Sequence, residues 1–310
     1  MSKLKLALLS GGISAEREVS LNTGEQIYRA LDKEKYEIYR YDPRDDLQQF
    51  FEDGLAGRFE LVLPALHGPY GEDGKIQGLM EIMQIPYLFS DCSASAIAMN
   101  KKICKTVVKE QGVPVINGKI IKKNEITEEQ IADLSLPAVI KPLQLGSSVG
   151  ISIAKTKEEL MEGINNAFRY DDNVLAEEYI KGRELTVTVM GREAGEALPV
   201  IEIIPEKTDW FDYQAKYEPG ATKEICPAEI PDDIKEKVQE QAIKAFEAIG
   251  CRDVARADFI WDEKRRTIFF LEINTIPGMT STSLVPKSAL ANGLNFTQFL
   301  DKLIDTAMSR

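Results

Sequence analysis

Residues 256–274 read RADFIWDEKRRTIFFLEIN, in which two apolar runs flank the charged turn Asp262–Arg266, and this pattern predicts a β-hairpin. Side chains two apart on a strand point to the same face, so Glu272 and Asn274 share a face that Asp258 joins when the two strands pair. Two carboxylates and an amide oxygen are hard ligands suited to Mg²⁺ that bridges nucleotide phosphates. A solvated polar face is the alternative interpretation, and the spacing alone does not separate the two.

The loop that follows the hairpin favours a binding site over a solvated face. Residues 275–283 read TIPGMTSTS, which places Gly278 among several hydroxyl side chains. Glycine exposes backbone N–H groups to a ligand, and hydroxyl groups bind a carboxylate.

Composition and charge exclude several classes of protein. The 310 residues hold 38 Lys and Arg against 50 Asp and Glu, a net charge of −12, which argues against a surface that grips nucleic acid. The single histidine, His67, excludes a multi-histidine metal site. The 4 cysteines form no CxxC pair, so we expect reduced thiols. The apolar run Leu6–Leu9 is shorter than a signal-peptide core, and no run approaches the ~18 residues of a membrane span, so we expect a cytoplasmic enzyme.

The first hundred residues alternate strand and helix signals, which predicts a mainly parallel α/β sheet. Its strands are expected at Leu4–Leu9, Tyr36–Tyr41, Glu60–Leu66 and Pro86–Phe89. Apolar runs predict later strands at Pro137–Lys141, Ile151–Ala154, Asn173–Ile180, Leu185–Met190 and Leu198–Ile204, and a capping box at Thr156–Glu159 begins a helix. A loop of about 25 residues, 205–229, is rich in aromatic side chains and is expected to form a lid.

Three further segments place glycine beside polar or charged residues. Lys141 ends a predicted strand, and the loop Gly146-Ser-Ser-Val-Gly150 suits contact with phosphate, although it is not a Walker A loop. Gly11-Gly12 precedes Glu16, an acid that either stabilises a helix start or pairs with a substrate ammonium. His67 opens a loop at the carboxyl end of the third strand, where ligands of open α/β sheets bind.

Taken together, these motifs resemble those of the D-alanine–D-alanine ligases of the ATP-grasp superfamily. The resemblance covers essentially the whole chain, and although any one motif is weak, all of them in this order are highly specific. The motifs are GGISAEREVS at 11–20, LHGPYGEDG at 66–74, IKP with GSSVG at 140–150, RAD at 256–258, EINTIPGMT at 272–280 and LVP at 284–286.

The resemblance implies an ATP-grasp fold of the α/β and α+β classes. A parallel N-terminal α/β domain would be followed by two ATP-grasp subdomains, with ATP between the last two. We expect these units at residues 1–95, 96–184 and 185–310, with the lid at 205–229. The resemblance also implies a homodimer that acts on small molecules, with neither nucleic acid nor membrane as a partner.

The same resemblance assigns residues to ATP and metal. The ATP residues are Lys101, Lys141, Ser148, the adenine connector Glu177, Glu178, Tyr179 and Ile180, the ribose acid Glu184 and the lid lysine Lys216. Asp258, Glu272 and Asn274 match the ligands of Mg²⁺ or Mn²⁺, with two ions expected, and a need for a monovalent cation is left open.

The substrate site is assigned in the same way. Glu16 is expected to bind the ammonium of the first D-alanine, in a hydrogen-bonded triad with Ser147 and Tyr217 and beside His67. Arg256 and the Gly278 N–H are assigned to an oxyanion. Ser283 and the Leu284 N–H are assigned to the carboxylate of the second D-alanine. The chain departs from other members at Phe211 and at Gln144-Leu145, which concerns lid packing and the nucleotide loop.

The implied reaction joins two D-alanine molecules for peptidoglycan synthesis and cell wall biogenesis. ATP phosphorylates the first carboxylate, and the amine of the second molecule attacks the acyl phosphate, so that catalysis consists of positioning and electrostatic stabilisation. Tyr217 in the lid is typical of ligases that take D-alanine second. Three alternatives stay open: a ligase for D-serine or D-lactate, a non-catalytic nucleotide-binding module, and a dinucleotide-dependent oxidoreductase, which the missing GxGxxG motif disfavours.

Overall fold

The structure is a computed structural model that describes residues 3–127, 131, 133–146, 149–192, 194–206 and 221–309. These residues form a 3-stranded, a 4-stranded and a 6-stranded sheet, each with its own packed helices. The three sheets follow one another along the chain, and the cavities described below lie where they meet.

The N-terminal sheet is parallel, as predicted, with strand order β2-β1-β3. Its elements are β1 (Leu4–Leu9), α1 (Arg17–Ala30), β2 (Tyr36–Tyr41), α2 (Leu47–Leu55), β3 (Leu61–Pro64) and α3 (Lys75–Ile82). The predicted fourth strand at Pro86–Phe89 is wrong, because this segment makes one isolated bridge, between Val62 and Tyr87. Phe89 takes a φ of 74°, which ends the extended conformation, and its N–H donates to the buried carboxylate of Asp253 at 2.7 Å.

The middle sheet is antiparallel, with strand order β4-β7-β5-β6. Its elements are β4 (Gly118–Lys122), β5 (Ala138–Pro142), β6 (Ser152–Ala154), α6 (Lys157–Ala167) and β7 (Asn173–Glu178). The predicted capping box is confirmed: the Glu159 N–H donates to Thr156 Oγ1 at 3.2 Å, and the Thr156 N–H donates to the Glu159 carboxylate at 3.3 Å. The apolar face of α6 packs on this sheet in a core that includes Ile140 and Ile164.

The third sheet has strand order β11-β10-β8-β12-β13, with β9 paired to β8. Its strands are β8 (Arg183–Gly191), β9 (Gly195–Ala197), β10 (Ile201–Pro205), β11 (Thr222–Ile225), β12 (Asp253–Asp262) and β13 (Thr267–Asn274). The stretch 205–229 was expected to be loop, yet it holds β11, an edge strand whose polar sequence TKEI carries little apolar alternation. Residues 207–220 of that stretch lie outside the described residues.

Helices from two parts of the chain cover the third sheet. They are α4 (Cys92–Met99), α5 (Lys101–Glu110), α7 (Asp232–Ile249), α8 (Leu284–Ala291) and α9 (Phe296–Met308). Although α4 and α5 precede the middle sheet in sequence, Ala98, Cys104 and Val108 share a core with α7, β12 and β13. The division of the chain at residues 1–95, 96–184 and 185–310 stays a prediction.

The register between β12 and β13 brings the polar residues of the hairpin together. Asp258 lies opposite Glu272 and Arg256 lies opposite Asn274. Because residues directly opposite one another on antiparallel strands project to the same face, these four side chains share one face, as predicted for Asp258, Glu272 and Asn274. Thr186 of β8 lies opposite Asp258 on its other side, and a register shift after Asp258 interrupts the ladder.

The N-terminal sheet and the C-terminal helix share one apolar core. Leu6 and Leu8 of β1 pack in the same buried cluster as Phe299 and Leu303 of α9. The 4 cysteines are free, as expected. Within the described ranges, no helix is long and apolar enough to cross a membrane.

We expect Leu303→Ala to destabilise the protein by about 2–5 kcal/mol, because it removes a fully buried side chain from the core shared by β1 and α9. Leu290→Ala on α8 is the matched control, because Leu290 is 64% exposed and its truncation should change stability by less than about 0.5 kcal/mol. Urea unfolding followed by tryptophan fluorescence measures both. Equal shifts in the two midpoints would contradict the shared core.

Candidate active site

A cavity of about 480 Å³ lies between the N-terminal and C-terminal parts of the chain. Its walls bring together the predicted substrate residues Glu16, His67, Arg256, Gly278, Ser283 and Leu284 with the predicted metal ligand Asn274. Gly146, from the loop after β5, lines the same cavity. Residues that are distant in sequence therefore face one space, which we call the larger cavity.

The N-terminal wall of the larger cavity is held by hydrogen bonds among buried polar groups. Ser14 Oγ donates to the His67 carbonyl at 2.7 Å and accepts from the Glu16 N–H at 3.1 Å. The His67 ring nitrogen Nε2 lies 3.1 Å from Thr23 Oγ1. Burial and the nearby charge of Arg256 lower the pKa of His67 to about 4. His67 is therefore neutral near pH 7 and acts as a hydrogen-bonding group rather than as a cation.

A second carboxylate, which the sequence motifs did not single out, faces Glu16. The Gly68 N–H donates to Glu72 Oε2 at 2.7 Å, and a Cβ at Gly68 would lie 2.5 Å from Glu16 Oε2. Gly68 takes a φ of 73°, a conformation that favours glycine between the two acids. Burial and the negative charge of Glu16 raise the pKa of Glu72 to about 8. Glu72 lies in the quoted segment LHGPYGEDG, in the loop between β3 and α3, where no hydrophobic periodicity signals that it turns inward.

The C-terminal wall offers hydroxyl and N–H groups to an anion. Ser283 precedes α8, and its Oγ lies 2.7 Å from Thr280 Oγ1 and accepts from the Thr280 N–H at 3.1 Å. Leu284 begins α8, where the first N–H groups have no partner within the helix and the helix dipole favours negative charge. The Leu284 side chain packs in an apolar cluster with Ile201 and Ile203, so only its backbone serves the cavity.

Arg256 and Asp258 form a bidentate ion pair at the centre of the polar face. Arg256 Nε lies 2.9 Å from Asp258 Oδ1, and Arg256 Nη2 lies 2.8 Å from Oδ2. Thr186 Oγ1 donates to Asp258 at 2.5 Å and Asn274 Nδ2 donates to it at 3.1 Å. Burial opposes the charge of Arg256, but the Asp258 carboxylate more than offsets it and holds the pKa of the guanidinium above its usual value.

A second cavity of about 140 Å³, which we call the smaller cavity, lies between the middle sheet and the third sheet. Predicted ATP residues line it, namely Lys141, Glu177, Glu178, Tyr179, Ile180 and Glu184, together with Asp258 and Glu272. Apolar side chains line it from both sheets, namely Ile116, Val139, Ile151, Ile153, Ile260 and Leu271. Apolar walls with a few polar groups suit a flat ring that carries a charged tail.

The end of β7 and the two residues that follow it form one wall of the smaller cavity. The Glu178 side chain accepts from Arg265 Nη2 at 2.6 Å and is half exposed. The Tyr179 N–H donates to the Pro137 carbonyl at 3.0 Å. Glu177 is buried and pairs with Lys141 Nζ at 2.5 Å, and it also pairs with Lys105, a residue that sequence reasoning missed.

Lys101 lies between the two cavities. Its Nζ donates to the Leu145 carbonyl at 2.6 Å and lies 3.9 Å from Glu272 Oε2, and its side chain is buried. The space around it, about 30 Å³, is bounded by Glu72, Gly146, Glu272 and Asn274, which also line one or both cavities. The predicted cations Lys101, Lys141 and Arg256 therefore border one continuous cleft.

The polar face can supply oxygen ligands to a metal between the cavities. Asp258 and Glu272 line the smaller cavity and Asn274 lines the larger one, so two carboxylates and an amide meet at their junction. In the described parts of the chain no three His, Cys, Asp or Glu residues could hold a metal ion, so the third protein ligand would be the Asn274 amide. This donor set fits a hard divalent cation such as Mg²⁺. Asp258 already holds Arg256, so a metal there would share that carboxylate.

Four predicted site residues lie outside the described residues: Ser147, Ser148, Lys216 and Tyr217. The adjacent Gly146 is described, and a Cβ there would lie 3.7 Å from Glu16 Oε2 and 3.9 Å from Glu72 Oε2. The loop that carries Ser147 therefore starts beside the acid with which it is predicted to form a triad.

Comparison with known proteins places this arrangement in a family. Residues 107–305 match the family model described as D-ala D-ala ligase C-terminus, and residues 40–90 match the one described as D-ala D-ala ligase N-terminus. The D-alanine–D-alanine ligase of Syntrophobacter fumaroxidans is 47% identical over 99% of this chain and 98% of the relative, and that of Desulfotalea psychrophila is 46% identical over 99% and 96%. The chain belongs to the D-alanine–D-alanine ligase family.

Solved structures of D-alanine–D-alanine ligases share the whole fold. The enzyme from Bacillus anthracis in complex with ATP superposes with a TM-score of 0.86 at 33% identity, covering 100% of this chain and 98% of that one. The VanG D-Ala:D-Ser ligase of Enterococcus faecalis gives 0.84 at 31% identity, covering 99% and 100%. The predicted ATP-grasp fold is confirmed, with its parallel N-terminal sheet and two antiparallel sheets.

The raised pKa of Glu72 predicts a pH-dependent cost in stability. A carboxyl group with a folded pKa near 8 and an unfolded pKa near 4.5 contributes stability that is fully present below pH 4.5 and is lost as the pH rises to about 8. Glu72→Gln removes this titration, so the variant should gain about 1–3 kcal/mol over the wild type between pH 5 and pH 9.

Chemical denaturation of both proteins without ligands, at pH 5, 7 and 9, measures this gain. Glu110→Gln at the exposed end of α5 is the control for a general effect of charge removal. A constant difference between the wild type and Glu72→Gln across this range would contradict the raised pKa.

Proposed function

We propose that the chain catalyses the ATP-dependent ligation of two D-alanine molecules to D-alanyl-D-alanine, with release of ADP and phosphate, for peptidoglycan precursor synthesis. The observation that carries the proposal is the polar face of β12 and β13, where Arg256, Asp258, Glu272 and Asn274 join two cavities in a chain of this family. One cavity suits a nucleotide and the other suits two small zwitterions.

The proposed substrate site follows from the charges on the two walls of the larger cavity. Glu16 binds the ammonium of the first D-alanine beside neutral His67, because an anion held in a buried position favours a cationic partner. Ser283 and the Leu284 N–H hold the carboxylate of the second D-alanine at the start of α8. The first carboxylate then points toward the junction with the smaller cavity, where the γ-phosphate of ATP would lie.

The proposed reaction has two steps. A carboxylate oxygen of the first D-alanine attacks the γ-phosphorus of ATP and ADP leaves, which gives an acyl phosphate. The amine of the second D-alanine attacks the carbonyl carbon, loses a proton, and the tetrahedral intermediate expels phosphate. Arg256 and the Gly278 N–H stabilise the oxyanion of that intermediate, since donors that are already oriented need no reorganisation during reaction.

The nucleotide and metal assignments extend the same proposal. Lys101 and Lys141 face the phosphates, and Glu184 faces the ribose. Lys216 is assigned to the phosphates from its place in the sequence alone. Mg²⁺ or Mn²⁺ held by Asp258, Glu272 and Asn274 would neutralise charge on the phosphate oxygens. The chain's own part is to align the two substrates and to exclude water, which would otherwise hydrolyse the acyl phosphate.

The assay that tests this function measures phosphate release from ATP with D-alanine and Mg²⁺ added or omitted. We expect release only when both are present, and Arg256→Ala should lower turnover by about 10²–10³-fold because it removes an oxyanion donor. Arg266→Ala, in the exposed turn between β12 and β13, is the matched control and should keep wild-type turnover. Folded protein with no D-alanine-dependent release would overturn the proposed function.

The second substrate is the finer part of this proposal, since a structural relative is a D-Ala:D-Ser ligase. The same assay with D-serine or D-lactate as second substrate, at pH 6 to 9, distinguishes the candidates. An amine nucleophile must lose a proton, so ligation of D-alanine should rise with pH, whereas a hydroxyl nucleophile has no such requirement. Product formation that is fastest with D-lactate at pH 6 would overturn the choice of D-alanine.

We further propose that the chain forms a homodimer through the N-terminal sheet's helices. An exposed apolar stripe runs along α2, where apolar residues recur every four positions: Leu47, Phe51 and Leu55 are 43%, 38% and 62% exposed. Ile82 at the end of α3 is 80% exposed. Sedimentation should show a dimer that Phe51→Glu dissociates. Leu290→Glu, an equally exposed site on α8, should leave the dimer intact, and a monomeric wild type would contradict this interface.

A further inference from the structure

A buried cluster of three charged groups lies behind the smaller cavity. Lys105 on α5 donates to Glu177 Oε1, and Lys141 Nζ on β5 lies 2.5 Å from Glu177 Oε2. The side chains of Lys105 and Glu177 are 5% and 2% exposed. Two lysines therefore share one carboxylate, and the cluster as a whole keeps one positive charge.

The fold leaves these three side chains little freedom. Val139 lies opposite Glu177 between β5 and β7, so Lys141, two residues beyond Val139, projects to the same face as Glu177. On the neighbouring strand β4, a Cβ at Gly118 would lie 2.7 Å from Glu177 Cγ, so the backbone approaches the side chain closely. Glycine at 118 therefore leaves the space that the Glu177 side chain occupies, and a larger residue there would displace Glu177 or β4.

Lys105 reaches this cluster from a different packing unit. Its neighbours on α5, Cys104 and Val108, belong to the core of the third sheet, whereas β5 and β7 belong to the core of the middle sheet. The Lys105–Glu177 pair thus crosses between the two walls of the smaller cavity. Breaking one partner of a buried pair leaves an uncompensated charge, so this contact constrains both walls.

The charge balance gives Lys105 a specific effect on Lys141. Without Lys105, the charges of Glu177 and Lys141 would cancel, and the pair would produce little positive potential in the smaller cavity. With Lys105 present, Glu177 is shared and the residual positive charge lies beside the cavity. Consistent with this sharing, the pKa of Glu177 is lowered by both lysines despite burial, and burial together with Lys141 lowers the pKa of Lys105 to about 8.

We propose that Lys105 is a positioning residue for nucleotide binding, which holds Glu177 and thereby leaves the positive charge of Lys141 available to the nucleotide phosphates. This inference rests on the proposed function, because it requires that the smaller cavity bind the nucleotide. Lys105 would affect the binding of the phosphates and not of the adenine ring. Changes at Lys105 should therefore alter the affinity for ADP more than the affinity for adenosine.

Calorimetric titration with ADP and with adenosine tests the proposal on the full chain without turnover. Lys105→Met should weaken ADP binding by about tenfold and adenosine binding by less than about twofold, because a charged hydrogen-bonding partner is lost. Lys105→Met combined with Glu177→Gln removes one charge of each sign and should restore the ratio of the two affinities. Lys105→Arg keeps the charge and should keep the ratio.

Comparison of the wild type with Lys105→Arg between pH 7 and pH 9.5 gives a second readout that does not depend on Lys105→Met folding. The groups that face Lys105 are Glu177 from β7, Lys141 from β5 and Cys104 on its own helix, and both proteins share them. As the pH passes about 8, Lys105 loses its proton, so the preference for ADP over adenosine should fall in the wild type. It should hold in Lys105→Arg, because arginine stays protonated.

Three outcomes would overturn the inference. These are equal weakening of ADP and adenosine by Lys105→Met, a double variant that fails to recover the ratio, and identical pH profiles for the wild type and Lys105→Arg. A wild type that binds D-alanine but neither ADP nor adenosine would instead overturn the nucleotide site itself, and this inference with it.

Discussion

The pairing register of β12 against β13 is the constraint on which the rest of the site depends. It places Asp258 opposite Glu272 and Arg256 opposite Asn274. If the pairing slipped by one residue, the two polar side chains of one strand would point to the opposite face of the sheet from the other two. Thr186 on β8 completes the hydrogen bonds of Asp258, so the central strand is fixed from both sides. The proposed metal ligands Asp258, Glu272 and Asn274 and the proposed oxyanion donor Arg256 are thereby positioned by sheet geometry.

Around that face, the three sheets supply different parts of one cleft. The N-terminal sheet brings Glu16 and His67, the middle sheet brings Lys141, and the third sheet brings Arg256. An acidic protein, with a net charge of −12, thus concentrates its cations where an anionic nucleotide would bind. Several of its acids are used in the same cleft, where they hold Arg256, Lys105 and the predicted ammonium and metal.

Local sequence predicted most of the strands because apolar runs such as Leu4–Leu9 are explicit signals, and the hairpin motif predicted which polar side chains share a face. It could not predict β11, whose edge position needs no apolar alternation, or the end of strand pairing at Phe89, which depends on Asp253 far along the chain. Glu72 and Lys105 were missed for the same reason, since Glu16, which faces Glu72, and Glu177, which pairs with Lys105, come from other elements. Such contacts exist only after the sheets have packed.

In the proposed mechanism the first D-alanine is activated as an acyl phosphate within the cleft joined by β12 and β13. Isotope transfer tests it most directly, with D-alanine carrying ¹⁸O in both carboxylate oxygens and unlabelled ATP. Each released phosphate is expected to contain one ¹⁸O, because the oxygen that attacks the γ-phosphorus leaves with the phosphate. Dipeptide formation with unlabelled phosphate would contradict it.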